Sequence, residues 1–343
     1  MTKGILEGFF ETYDLGEIME KRLFNHGNSH EVYYVATASQ KYVVKVLDEA
    51  KIAKDRHFTA KFIKTEEIAE GVCLEGFASV PAIRFHGSFI QEFEGHHLAV
   101  YPFCPGQRIS MHVLTTKQRE AVGEALAELH EIPPQLPDLK NFTYGWSRKE
   151  NKKTWTEVRN ELTALNPSWL EIFDRSLSQL ISLTEQVAHQ YQNFTPQDVV
   201  LSHGDVSSDN ILFEGDKPYF LDWEKASLVD AAYEVLRTAI RFSLQMYSSP
   251  DKIQVELEHF YDIVRGYTQR RTLNLDELER YFHLFLHIRI QYLQYYIYLY
   301  QKEDNEGRRQ TIEKNILLYL RIVEGYQRYL SELPQIQKRL SSL

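Results

Sequence analysis

The sequence predicts an α+β chain in two parts, a small β-rich N-terminal part and a larger, mainly helical C-terminal one. Three observations carry that expectation. Between Lys21 and Phe103, short apolar runs of strand length are separated by turns and interrupted by one helical stretch. Pro102, Pro105 and Gly106 then break the sheet pattern. Beyond them most segments carry apolar residues at helical spacing. The division is therefore expected between residues 1–103 and 104–343.

The bulk properties narrow the class. A chain of 343 residues has length for about two cores. Hydrophobic content of 43% and charged content of 25% are those of an ordinary globular protein. The net charge of −9 argues against a nucleic-acid partner, whose footprint would be basic. Cys73 and Cys104 are too few for a disulfide framework or a cysteine metal site, so a reducing compartment is expected. The opening MTKGILEGFFETYDLGEIME carries acids and no uninterrupted apolar core, so no signal peptide is expected there. No apolar run approaches the length of a membrane span, and a cytoplasmic protein without a membrane partner is the expectation.

Taken in order, residues 5–20 alternate apolar and acidic groups at helical spacing. Strands follow at 21–24, 32–37 and 41–47. The loop between the first two, Asn25-His26-Gly27-Asn28-Ser29-His30-Glu31, could fold over phosphates with its backbone N–H groups and the Ser29 hydroxyl. An ordinary hairpin loop is the plainer reading of a segment with one glycine. Lys45 alternates with Val43 and Leu47 on one face of its strand, which suits an inward lysine paired with an acid. The next helix, 58–73, offers Glu66, Glu67 and Glu70. Strands at 82–90 and 96–103 complete the N-terminal part. A helix capped by Thr115 or Thr116 then buries Val122, Ala125, Leu126 and Leu129, and Pro133, Pro134 and Pro137 stop it. Residues 138–155 read as a loop. Helical periodicity returns from Trp155 to Tyr191, and again from Ala231 onward. The tyrosines at 292, 295, 296, 298 and 300 have the spacing of a packed helix face.

One stretch carries chemistry: Leu201–Glu224, LSHGDVSSDNILFEGDKPYFLDWE. Two short apolar runs joined by a turn would bring Asp222 back beside Asn210, near Asp205. A carboxamide and a carboxylate suit hard Mg²⁺ ions, and a second carboxylate suits an accepting hydroxyl, as phosphoryl transfer requires.

The order of parts resembles the aminoglycoside phosphotransferase and choline kinase superfamily over roughly residues 20–240. The residues that carry the resemblance are LSHGDVSSDNILF, FLDWEKASLVDAAYE, GEALAELH and YVVKVL. It implies a bilobal protein-kinase-like fold, with a small β-sheet lobe holding one main helix and a larger helical lobe. It further implies Asp205 as catalytic base and Asn210 and Asp222 as Mg²⁺ ligands. Lys45 would contact the α- and β-phosphates of ATP (or GTP), held by Glu67 in preference to Glu66. Ser29 would help cover the phosphates, and the adenine would lie against Tyr101 to Phe103. His203 resembles the family's bracing histidine. In place of the frequent Gly-Asp and later Asp, this chain has Val229, Asp230 and Glu234. Asp230 follows Asp222 by only eight positions, too few for the activation segment of a protein kinase.

The implied activity is transfer of a γ-phosphoryl group to a hydroxyl of a small, cationic acceptor such as an aminoglycoside. A choline, amino-alcohol or sugar kinase is the neighbouring alternative, and an inert kinase-like binding protein the alternative of another class. Glu256, Glu258, Asp262, Asp276 and Glu277 are the acids that would attract a cation, or else ordinary solvated helix charges.

Overall fold

The computed structural model describes residues 4–26, 30–133, 153–192, 194–245, 254–276 and 278–342. Its helices are α1 (Ile5–Thr12), α2 (Glu49–Lys54), α3 (Phe58–Leu74), α4 (Thr116–Glu131), α5 (Trp155–Leu165), α6 (Leu170–Gln192), α7 (Ala231–Ser243), α8 (Leu257–Thr268), α9 (Leu278–Lys302) and α10 (Glu306–Leu340). Its strands are β1 (Ile18–His26), β2 (Glu31–Thr37), β3 (Lys41–Val46), β4 (Gln91–Phe93), β5 (His96–Pro102), β6 (Val199–Ser202), β7 (Ile211–Glu214), β8 (Lys217–Phe220), β9 (Ser227–Asp230), β10 (Leu244–Gln245) and β11 (Gln254–Val255). The class is α+β, as the patterning predicts.

These elements fall into two compact units, one drawn from described residues within 1–110, 132–138 and 203–227, the other from 111–131, 139–202 and 228–343. A simple division at 103/104 assigns 203–227 differently. The reason lies in backbone pairing. Phe220 exchanges hydrogen bonds with Ala78 and Val80 (2.8 and 3.2 Å), and Phe213 exchanges two with Gln107 (2.8 and 2.9 Å).

The first unit is built on an antiparallel sheet in the order β1-β2-β3-β5-β4. Alternation along β3 separates two cores. Tyr42, Val44 and Val46 pack with Leu6, Phe9 and Phe10 of α1. On the other side, Leu47 and Ala99 pack with Phe62 of α3. Lys45 belongs to this second side, and its Nζ lies 5.5 Å from the Phe62 ring centroid. In α3 the buried stripe runs Phe62, Glu66, Ala69, Val72, spaced as one face of a helix.

The second unit is helical. α4 and α8 approach until side chains no longer fit between them. A Cβ at Gly123 would stand 2.0 Å from the Ile263 carbonyl oxygen, and one at Gly266 would stand 1.9 Å from that of Glu120. The same pair of helices buries an ion pair, Arg119–Asp262 at 2.8 Å. Of the tyrosines in α9, Tyr281 and Tyr300 are buried, whereas Tyr292, Tyr295, Tyr296 and Tyr298 are half-buried. Among the described residues no helix is long and apolar enough to cross a membrane.

Candidate active site

β7 and β8 form the hairpin expected between Asn210 and Asp222, closed by a two-residue turn in which Gly215 has φ +63°. Its open end sets the site. The Leu221 N–H donates to the Asn210 carbonyl at 2.9 Å, so Asp222 stands one residue beyond a direct backbone contact with Asn210. Asp222 itself is left-handed, φ +62°, an unusual conformation for a residue other than glycine or asparagine. Strained backbone of this kind concentrates at functional sites.

Upstream, the loop that carries Asp205 is tied from several directions. The His203 Nε2–H donates to the Leu221 carbonyl at 2.9 Å, and Nδ1 accepts from the Asp205 N–H at 3.3 Å. With its two ring nitrogens so used, the imidazole is the neutral Nε2–H tautomer and braces the loop. It is fully buried, against Trp223 at 4.6 Å between ring centroids. The Asn210 Nδ2–H donates to the Asp205 carbonyl at 2.9 Å, which turns the amide so that its oxygen points away from that bond. Gly204 cannot be replaced freely. Its φ is +81°, and a Cβ there would lie 2.0 Å from the Lys225 carbonyl oxygen.

That close passage brings Lys225 to the Asp205 side chain. Lys225 Nζ donates to Asp205 Oδ2 at 2.7 Å. A second ammonium, Lys45 Nζ, lies 3.9 Å from Asp222 Oδ1 and 3.9 Å from Glu224 Oε1. The site therefore alternates charge: three carboxylates, held apart by two ammonium groups. Desolvation, and then the charge of Asp222, push the Glu224 carboxyl above its usual range, while Lys45 opposes them.

Of the α3 acids it is Glu66 that is buried, whereas the resemblance implies Glu67. Glu66 is 8% exposed, lies on the buried stripe of α3, and accepts from the Ala82 N–H at 2.8 Å and the Tyr101 hydroxyl at 2.6 Å. Burial raises its pKa, while those two hydrogen bonds and the charge of Lys45 pull the other way. Glu67 is exposed. Among the described residues Lys45 forms its ion pairs with Asp222 and Glu224, and with neither of the α3 acids. The helical spacing from Phe62 was the available signal, since residue 66 falls on the apolar face and 67 does not.

Of the remaining expected residues, Tyr101 turns its hydroxyl to Glu66. Phe103 donates its N–H to the Lys41 carbonyl at 3.1 Å and sets its ring edge against Tyr34 at 5.3 Å. Ser29 lies outside the described residues. Glu224 and Lys225 are the site residues that sequence reasoning passed over. Nothing in the pattern of DWEKA singles them out, because their positions depend on how the chain turns after the left-handed Asp222.

The donors present fit a hard divalent cation shared with a polyphosphate. Among the described residues no three His, Cys, Asp or Glu side chains converge into a cage. Asp222 and Glu224 offer carboxylate oxygens around Lys45, and Asn210 offers an amide oxygen from the residue whose backbone pairs with Leu221, next to Asp222. That is the partial shell expected of Mg²⁺, which completes its coordination with water and substrate phosphates.

Known proteins share sequence and fold with this chain. The profile of the phosphotransferase enzyme family matches residues 21–272, more than half of the chain. Acyl-CoA dehydrogenase family member 10 of Mus musculus is 24% identical over 299 residues, covering 82% of this chain but only 24% of the mouse protein. Homoserine kinase of Neisseria meningitidis serogroup B is 24% identical over 276 residues, covering 79% of this chain and 81% of that enzyme. A spectinomycin phosphotransferase, solved with ADP and spectinomycin, superposes with a TM-score of 0.63 at 15% identity, covering 95% of this chain and 99% of that one. The fold is thus that of the kinase-like phosphotransferases, and the chain belongs to the phosphotransferase enzyme family.

Proposed function

We propose that this chain transfers the γ-phosphoryl group of ATP, or of GTP, to a hydroxyl of a small acceptor. The observation that carries it is the Lys45 ammonium, 3.9 Å from both Asp222 and Glu224, in the same compact unit as the Asp205–Asn210 loop. An ammonium held at that distance by two carboxylates is ready to share its charge with the α- and β-phosphates of a nucleotide. Asp205 orients and deprotonates the acceptor hydroxyl, and the Lys225 contact fixes where its carboxylate points. Asn210 and Asp222, with Glu224 beside them, hold Mg²⁺. When bound, Mg²⁺ neutralises charge on the transferring phosphoryl group. Glu66 positions the Lys45 side of the site through Tyr101 and Ala82. Phe103 is the proposed neighbour of the adenine, and the segment with Ser29 the proposed cover of the phosphates. The free cysteines Cys73 and Cys104 suit a cytoplasmic setting.

For the acceptor, the cationic class loses two of its anchors. Asp262 is taken up by Arg119 and Arg265 at 2.8 and 3.2 Å, and Glu258 by Arg339 at 2.6 Å. Glu277 lies outside the described residues. Aminoglycosides, choline-type amino alcohols, sugars and hydroxylated amino acids such as homoserine together form the acceptor panel. The test is coupled ADP release over that panel, with wild type and Asp205→Asn side by side. Release with at least one acceptor, reduced by roughly 10²–10⁴-fold in the variant, is expected. No release with any acceptor, although Mg-ATP raises the melting temperature, would favour an inert binding protein instead.

A further inference from the structure

Trp223, Glu224 and Lys225 make the turn that follows the left-handed Asp222, and both ends of that turn are fixed. The Ala226 N–H donates to the Trp223 carbonyl at 2.9 Å. Trp223 is 3% exposed and lies against His203 and Phe77, at 4.6 and 5.9 Å between ring centroids. At the other end the Lys225 backbone passes close to Gly204. A Cβ there would stand 2.0 Å from the Lys225 carbonyl oxygen and 2.9 Å from the Lys225 Cβ. The root of the lysine side chain is therefore fixed beside the residue that precedes Asp205, and all of these groups belong to one compact unit.

The head of the side chain is less confined. Nζ donates to Asp205 Oδ2 at 2.7 Å, yet the Lys225 side chain is 60% exposed and that of Asp205 is 24% exposed. An ammonium carries three N–H donors. One is engaged by Asp205, and among the described residues the Lys225 ammonium forms no other hydrogen bond. Two donors thus remain open to solvent beside the proposed base. Lys45 is placed otherwise, with a side chain 17% exposed and 3.9 Å from both Asp222 and Glu224. The two ammonium groups attend different carboxylates, Lys45 those assigned to the metal and Lys225 the one assigned to the acceptor. An exposed ion pair adds little to stability, so folding does not account for Lys225.

We propose that Lys225 is a second catalytic residue, its ammonium bridging Asp205 and the phosphoryl group in transfer. This rests on the reading of Asp205 as the group that meets the acceptor hydroxyl. A hydroxyl oxygen held by Asp205 lies about 3 Å from the carboxylate, and the phosphorus it attacks lies about 3–3.5 Å further on. With Nζ 2.7 Å from Oδ2, the phosphorus stands within about 9 Å of the ammonium, and closer wherever the path bends. A flexible four-carbon stem on a fixed root can close that interval. In the transfer, the acceptor oxygen forms the new P–O bond, and the bond to the β-phosphate oxygen breaks with its electron pair. The hydroxyl proton passes to Asp205, and ADP leaves. Lys225 keeps its own proton and offers charge and N–H donors to the equatorial oxygens, over which the transition-state charge is spread. That contact forms as the phosphoryl group moves toward the acceptor, so it raises kcat and leaves the affinity for bound nucleotide nearly unchanged.

Isothermal titration of the full chain compares Mg-ATP, Mg-ADP, and Mg-ADP with aluminium fluoride, whose fluoroaluminate stands for the phosphoryl group in transfer. No acceptor is needed. The wild type should bind Mg-ADP at least roughly tenfold more tightly with the fluoroaluminate. Lys225→Met and Lys225→Gln should each lose roughly tenfold of that gain, while binding Mg-ATP and Mg-ADP as the wild type does. Lys225→Arg should keep much of it, since it keeps the charge. The Asp205→Asn background separates contact from positioning, and Lys225→Met should cost a similar factor there. An effect that vanishes in that background shows Lys225 acting only through Asp205 and overturns the proposal. An unchanged gain in Lys225→Met, or no gain in the wild type, overturns it as well, with Mg-ADP binding leaving the nucleotide reading intact. Failure of the wild type to bind either Mg-ATP or Mg-ADP overturns that reading, and this proposal with it.

Discussion

Glu66 and Glu67 are adjacent and chemically identical, so exchanging each for alanine isolates what burial and hydrogen bonding contribute. Glu66→Ala removes the acceptor of the Ala82 N–H and of the Tyr101 hydroxyl, at 2.8 and 2.6 Å. Leaving a buried donor unsatisfied costs about 1–3 kcal/mol. Two of them set a gross cost of about 2–6 kcal/mol, from which relief of the desolvated carboxylate must be subtracted. The net expectation is a loss of about 2–4 kcal/mol, or roughly 5–15 °C in melting temperature for units of this size. Glu67→Ala alters an exposed side chain and should stay within about 0.5 kcal/mol, a degree or two. Glu66→Gln keeps one acceptor oxygen and should fall between. Melting curves followed by circular dichroism read the stabilities, and titration with Mg-ATP reads whether Lys45 still meets the phosphates. Equal melting temperatures for the two alanine variants would refute the assignment of the α3 acid. So would loss of nucleotide affinity in Glu67→Ala with affinity retained in Glu66→Ala.

Four further outcomes are expected. Gly204→Ala forces a Cβ to 2.0 Å from the Lys225 carbonyl at φ +81°, so it should abolish turnover by displacing the Asp205 loop, read by ADP release on protein confirmed folded. Lys225→Met removes an ion pair whose lysine is 60% exposed, so stability should change by less than about 1 kcal/mol while kcat falls and nucleotide affinity persists. His30 is 8% exposed, its Nδ1 accepts from the Asp48 N–H at 3.0 Å, and burial followed by the charges of Lys45 and Lys51 lowers its pKa to about 4. The unfolded chain therefore binds the proton first, and this share of stability, complete above about pH 6.5, is lost as pH falls toward 4; a His30→Gln variant should lack that slope in urea titrations. Burial pushes the Glu234 carboxyl up, but the hydrogen bond and charge of His130, with Arg237, outweigh it and hold the pKa at about 2. Its stabilisation is present above about pH 4.5 and disappears between there and pH 2, and urea midpoints at successive pH values should show the decline.

Much of the fold and of the site could be read from the sequence, because those parts are governed by local rules. Alternation along residues 41–47 places Lys45 on the face opposite Val44 and Val46, and the β7–β8 turn returns the chain from Asn210 to Asp222. His203 shows its bracing role only through the Leu221 carbonyl, yet its neighbours in HGD already suggested it. Where the sequence is less informative, the contacts that matter are distant along the chain. The choice between Glu66 and Glu67 turns on Ala82 and Tyr101, 16 and 35 residues away. Lys225 reaches Asp205 across 20 residues, through a passage that only Gly204 permits.

Charge was the least legible property, and for a physical reason. A net charge of −9 describes the whole surface, whereas a ligand meets a few side chains whose partners have already been fixed by folding. Asp262 looks from the sequence like an anchor for a cation, but Arg119 and Arg265 neutralise it at 2.8 and 3.2 Å. Glu258 looks like another, but Arg339 pairs with it at 2.6 Å. The sign of a binding site follows from such local pairings, so a count of acids in the sequence does not give the acceptor class.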